Sequence, residues 1–166
     1  MNFSNGTMAL IAVGLGVLIL ALVALKKKAV FAPAFEQRPL MNQTEQRLFK
    51  MLVSELPAEW TVMTQVSYGA FLRNKSYPRY MSVNSKRADF VVIGPSLGVE
   101  VVVEYQGKGH YGNTKESRDR AEKSDQTKRQ ALLEAGIPLY EVPAKFDADL
   151  IKRFAQAVIG PDKEAA

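Results

Sequence analysis

The sequence predicts an α/β domain, a mixed central β-sheet flanked by helices, preceded by one N-terminal transmembrane helix. Three observations predict it. An apolar run without a charged side chain opens the chain and ends on Lys26, Lys27 and Lys28. Amphipathic helical patterns stand at both ends of the remainder, and short β-branched runs lie between them. The order α-β-(loop)-β-β-α-β-α, with helices at both ends and a meander between, suggests a mixed sheet flanked by helices.

The elements follow in chain order. MALIAVGLGVLILALVAL, Met8 to Leu25, spans about 27 Å as a helix, enough for a hydrocarbon core. The positive-inside rule places the N-terminus outside and everything after Lys28 in the cytoplasm, a single pass through the inner membrane. A secretory signal carries its basic residues before the apolar run, although Ala32 and Ala34 could mimic a cleavage site. Residues 1–28 are therefore read as an anchor with a basic stop, and 29–41 as a linker broken by Pro33 and Pro39. The domain covers 42–160, and 161–166 form a disordered tail.

Within the domain, NQTEQRLFKMLVSEL is an amphipathic helix with Asn42 as N-cap, Glu45 three residues on, and Pro57 after it. A strand is predicted from Trp60 to Val66, then a short helical turn. Arg73 to Arg87 reads as a basic, turn-rich loop. ADFVVIG and VEVVVEYQ are strands joined by GPSLG. The charged stretch from Asn113 is a long helix that touches the core only in its last turns, at Ala131, Leu132 and Leu133, with Gly136 as its C-terminal cap. IPLYEV is a strand, and FDADLIKRFAQAVIG a final helix.

Composition narrows the function. There is no cysteine, which excludes a disulfide framework, a cysteine nucleophile and a thiolate zinc site. The charge is +5 with a pI near 9.4, and residues 1 to 25 hold none of it. A basic domain suits an anionic partner, nucleic acid or a lipid surface. Solubility alone is the plain alternative.

The chemistry lies in the hairpin. Pairing Val92 with Val101 sets Asp89 directly across from Glu104, with Cβ atoms about 5 Å apart. Two carboxylates so placed repel unless a cation lies between them, and Mg²⁺ (or Mn²⁺) suits them. Gln106 shares their face, and Lys108 follows if the strand continues. His110, the one histidine, lies just past the strand end. Arg73, Lys75, Arg79, Lys86 and Arg87, interleaved with Tyr77 and Tyr80, suit phosphates and unstacked bases. Each residue has a plainer role: Glu45 as a capping partner, Asp89 as a loop brace, Glu104 in a salt bridge, His110 at the surface, the basic loop on anionic lipid.

This ordered set resembles the PD-(D/E)XK, or restriction-endonuclease-like, nuclease superfamily. It is most similar to the domain-of-unknown-function 2726 family, akin to very-short-patch repair endonucleases. The resemblance rests on NQTEQRLFKML, TVMTQVSYGAFL, RADFVVIGP, VVVEYQGKGH, the helix with Arg118, Asp119 and Lys128, and LLEAGIPLYEVP. It implies that fold, a divalent metal held by Asp89 and Glu104, and phosphodiester hydrolysis, with DNA favoured over RNA as partner. It implies Glu45, Asp89 and Glu104 as the acidic site residues, assisted by Gln106, Lys108 and His110. Ala88 stands where the superfamily has proline, and Gln106 where it has lysine. The second reading is therefore an inactive nuclease fold that binds nucleic acid or a protein at the membrane. A third is a structural protein of the lipid surface.

Overall fold

A computed structural model describes residues 5–30, 33–107 and 114–160. The chain divides into two compact units, Met1–Arg38 and Pro39–Ala166. The first holds helix α1, Asn5–Val30. Its segment Gly6–Ala24 has a mean hydropathy of 2.7 and none of it is buried, so it is long and apolar enough to cross a membrane. Its length and position suit an N-terminal signal sequence as well.

The second unit runs α2 (Gln43–Glu55), β1 (Thr61–Ser67), α3 (Tyr68–Phe71), α4 (Tyr77–Asn84), β2 (Arg87–Ile93), β3 (Val99–Gln106), α5 (Lys115–Ala135), β4 (Leu139–Pro143) and α6 (Ala148–Ile159). The four strands form one sheet in the order β1-β2-β3-β4. The first three make an antiparallel meander, and β4 joins β3 in parallel through the α5 crossover. Val92 pairs with Val101, the register expected from the alternation of the two strands. Asn42 caps α2 in a full capping box: its Oδ1 accepts from the Thr44 and Glu45 amides, and its own amide donates to Glu45 Oε2. Gly136 ends α5 at φ 69°, a left-handed conformation that glycine adopts without a Cβ clash.

Two apolar layers cover the sheet. Leu48 and Leu52 of α2 and Ile151, Phe154 and Ala155 of α6 pack on Phe90, Val92, Val101, Val103 and Val142. Tyr68, Val83 and Leu132, from α3, α4 and α5, pack on Val91 and Val102 of the opposite face. Hydrophobic burial on both faces explains why β2 and β3 read as nearly continuous valine runs.

Two expectations need correction. The predicted loop from Arg73 to Arg87 contains helix α4, with Pro78 in its first turn. Proline there supplies a helical φ and lacks only an amide that would be unbonded anyway. The helix is too short to show a periodicity, and burial of Val83 and an ion pair from Arg79 to Glu134 hold it in place. At the end of α5, Leu132 is buried but Leu133 is 75% exposed.

Candidate functional site

The β2–β3 ladder ends at Phe90 and Val103, and Asp89 and Glu104 are the next residues of the two strands. Glu104 is the only buried charged side chain among the described residues, at 8% exposure. Its Oε1 accepts two hydrogen bonds, from the Tyr68 hydroxyl at 2.9 Å and from Lys128 Nζ at 3.0 Å. Lys128 also reaches Asp125 at 3.5 Å, and its ammonium lies 6.0 Å from the centre of the Tyr68 ring. Asp89 is half-buried, and its Oδ2 accepts from the Tyr105 amide at 2.9 Å. Burial, with the Asp89 charge adding to it, raises the Glu104 carboxyl above the ordinary carboxylate range, against the pull of Lys128 and the Tyr68 hydrogen bond. Burial also pushes the Tyr68 phenol far up, helped by the charge of Glu104, so it acts as a donor throughout the physiological range.

Gln106 lies in the same small cleft, together with Arg129 and Glu141. Its Nε2 donates to Glu141 Oε1 at 2.8 Å, and Arg129 pairs with the same oxygen. The Gln106 amide is thus turned toward Glu141 of β4. β3 ends at Gln106, and the Gly107 amide turns back to the Tyr105 carbonyl at 3.0 Å. Lys108 and His110 themselves lie outside the described residues.

Glu45 sits at the start of α2, whose buried residues pack on the sheet face opposite that of Tyr68 and Val102. Its carboxylate closes the capping box, and no described hydrogen bond joins it to Asp89 or Glu104. A capping box tolerates glutamine in place of glutamate. Glu45→Gln should therefore leave thermal stability within about 0.5 kcal/mol, against about 1 kcal/mol lost in Asn42→Ala. A fall of more than tenfold in any metal-dependent activity of Glu45→Gln would show that Glu45 serves the site as well as the cap.

The basic residues divide. Arg79 makes a bidentate pair with Glu134 at 2.8 and 2.9 Å, and Lys86 Nζ donates to Ser124 Oγ at 2.6 Å. Arg73, Lys75 and Arg87 are exposed. Arg73 and Arg79 line a groove of about 660 Å³ between α4 and α5, together with Leu72, Tyr80, Val83, Lys123 and Ala131. Helix α5 thus borders the groove through Lys123, Thr127 and Gln130 and reaches the carboxylates through Lys128.

Among the described residues no group of three or more His, Asp or Glu side chains could hold a metal. Two carboxylates remain, which fit a hard ion that keeps most of its waters and do not fit a closed all-protein site. The cleft beside Glu104 measures about 20 Å³, room for about one water molecule. Two residues of the cluster have no role assigned from sequence. Lys128 enters there only among the residues that carry the resemblance, although it lies four residues before the buried Leu132 and so on the same helical face. Nothing local marked Tyr68, whose burial depends on packing across the sheet.

Fold and site define a small mixed α/β domain with two neighbouring carboxylates on its sheet, one of them bound by a lysine, and an apolar helix before it in the chain. The chain belongs to the DUF2726 family of proteins of unknown function, which matches residues 37–158. It is 36% identical over 115 residues to an uncharacterized protein of Haemophilus influenzae, a match that covers 68% of this chain and 57% of the relative. It is 38% identical over 113 residues to the uncharacterized protein y4bI of Sinorhizobium fredii, covering 66% of this chain and 78% of that one. No solved structure matches the chain.

Proposed function

We propose that the protein is a membrane-anchored, Mg²⁺-dependent nuclease of the PD-(D/E)XK type, with DNA as the favoured substrate. One observation carries the reading: Asp89 and Glu104 directly follow the last paired residues of neighbouring strands, near enough for the Asp89 charge to act on Glu104, and a lysine from a third element is hydrogen-bonded to Glu104. The carboxylates are the groups that would hold the ion. When bound, a divalent cation supplies charge neutralisation at a phosphate and a lowered pKa for a coordinated water. Lys128 fills the place that Gln106 leaves without a cation. Its ammonium is positioned to stabilise negative charge that builds on the phosphoryl oxygens as water attacks phosphorus and the P–O bond to the leaving oxygen breaks. Tyr68 fixes the rotamer of Glu104 through its hydroxyl. The groove beside α5, with Arg73, Arg79 and Lys123, suits the phosphates of a strand led toward the carboxylates. The apolar segment Gly6–Ala24 of α1, followed by Lys26 to Lys28, suits an anchor that leaves this domain on the cytoplasmic side.

The test uses the full chain in detergent micelles with single-stranded DNA, duplex DNA and RNA, in Mg²⁺, Mn²⁺ or EDTA. Cleavage that needs the metal and is lost in both Asp89→Ala and Glu104→Ala is the expected result. Cleavage that survives both variants would overturn the reading. The second reading, an inactive nuclease fold that binds nucleic acid or protein at the membrane, draws on Gln106, which is held by Glu141 where a lysine would stand. It predicts salt-dependent DNA binding, unchanged in both variants, without cleavage.

A further inference from the structure

We infer that Gln65 is a positioning residue: its left-handed backbone holds the sheet open at Asp89 and so presents the Asp89 carboxylate beside Glu104. This rests on the reading of Asp89 and Glu104 as the working pair. Gln65 lies within β1 at φ 54°, a conformation that only a few per cent of non-glycine residues adopt and that is foreign to a strand. The pairing of β1 with β2 is regular on both sides of it, Thr64 with Phe90 and Val66 with Ala88, yet Gln65 and Asp89 do not pair. On its other side, the ladder from β2 to β3 stops at Phe90 and Val103, one residue short of Asp89 and Glu104. Asp89 is therefore without a ladder partner on either flank of a central strand. The Tyr105 amide, which would face β2 in a continued ladder, is taken by the Asp89 carboxylate instead.

The two layers record the same dislocation. Alternation should keep Val62 and Val66 on one face of β1, and Ala88, Phe90 and Val92 on one face of β2. Val62, Phe90 and Val92 do pack in the α2–α6 layer. Val66 and Ala88 pack in the other layer, with Tyr68. The strand pair thus changes face between Thr64 and Val66 on one strand and between Phe90 and Ala88 on the other. Gln65 and Asp89 are the residues at the change. A single left-handed residue reverses the direction of the next side chain, so Gln65 supplies the reversal on β1. The reversal also delivers the chain to Tyr68, which follows three residues on and bonds Glu104. Next to it, Thr64 Oγ1 is buried without a hydrogen-bond partner among the described residues, a further departure from relaxed strand geometry. Strained backbone of this kind collects at functional sites.

The backbone, rather than the carboxamide, is what matters, and two variants separate them. Gln65→Gly keeps the left-handed conformation at no steric cost. Gln65→Val favours the extended one and zips the ladder through Asp89. Both would be compared with wild type, as full chains in micelles, by amide hydrogen exchange and by the change in melting temperature on adding Mn²⁺. The Asp89 amide should exchange fast beside those of Val91 and Val92 in wild type and Gln65→Gly. It should exchange about tenfold more slowly in Gln65→Val, the equivalent of one regained ladder hydrogen bond. The Mn²⁺ shift should survive in Gln65→Gly and vanish in Gln65→Val. Equal protection of Asp89 and its neighbours in wild type would overturn the inference. So would loss of the Mn²⁺ shift in Gln65→Gly, or its retention in Gln65→Val. If wild type itself shows no Mn²⁺ shift, the metal reading fails, and the exchange rates still decide whether Gln65 keeps Asp89 out of the ladder.

Discussion

Asp89→Asn is expected to remove nearly all stabilisation of the protein by Mn²⁺. A ligand that binds only the folded state at a hundred times its Kd adds about 2.7 kcal/mol. For a chain of this size that raises the melting temperature by roughly 5–10 °C. The amide keeps the shape of Asp89 and its acceptor for the Tyr105 amide, but not the charge that a hard cation requires. Glu104→Gln should behave alike. Changes one shell removed from a metal lower affinity or activity by 10–100-fold, so loss of either carboxylate should lower metal-dependent cleavage by at least about a hundredfold. An undiminished Mn²⁺ shift in both variants, followed by calorimetry or by a thermal melt, would place the ion elsewhere and dissolve the proposed site.

Lys128→Met is expected to cost about 3–5 kcal/mol at neutral pH, the loss usual when one partner of a buried pair is removed. Lys128 and Glu104 are 16% and 10% exposed at their side chains and 3.0 Å apart. The variant leaves the carboxylate buried beside Asp89 with only the Tyr68 hydroxyl to compensate it. The sign with pH follows from the raised carboxyl. In the folded state Glu104 holds its proton above the ordinary value of 4.5, so stability falls as pH rises from that value through the raised one. Lys128 is the strongest influence opposing the rise, and its removal extends the window upward. The destabilisation should therefore be large at pH 7.5 and much smaller at pH 4, where Glu104 is protonated in both folded and unfolded chains. Urea unfolding at the two pH values measures it, and Glu104→Gln combined with Lys128→Met should recover most of the loss. An equal loss at both pH values would mean that Lys128 acts through its aliphatic packing, not its charge.

The sequence by itself determined the local structure and one key register. Caps and breakers set α2, α5 and α6, because Asn42, Gly136 and Asp147 act on backbone groups within a few residues of themselves. The valine alternation and the short turn set Val92 against Val101. The juxtaposition of Asp89 and Glu104 followed from two strands close in the chain. Only the tertiary structure decided what depends on distant residues. Glu45 and Glu104 read alike as site acids, yet one closes a helix cap and the other is buried between Tyr68 and Lys128. Lys128 lies 24 residues from Glu104, and its helix reads as mostly solvated because one partly buried lysine leaves little trace among so many exposed charges. Helix α4 owes its place to Val83 and to an ion pair with α5. The face change at Gln65 was invisible as well: TVMTQVS alternates well enough to read as an ordinary strand, and nothing in glutamine favours a left-handed backbone. That conformation accompanies the packing of Val66 and the full burial of Tyr68 in the second layer, and a local preference worth a fraction of a kcal/mol yields to the burial of a large side chain worth about 1.5–3 kcal/mol.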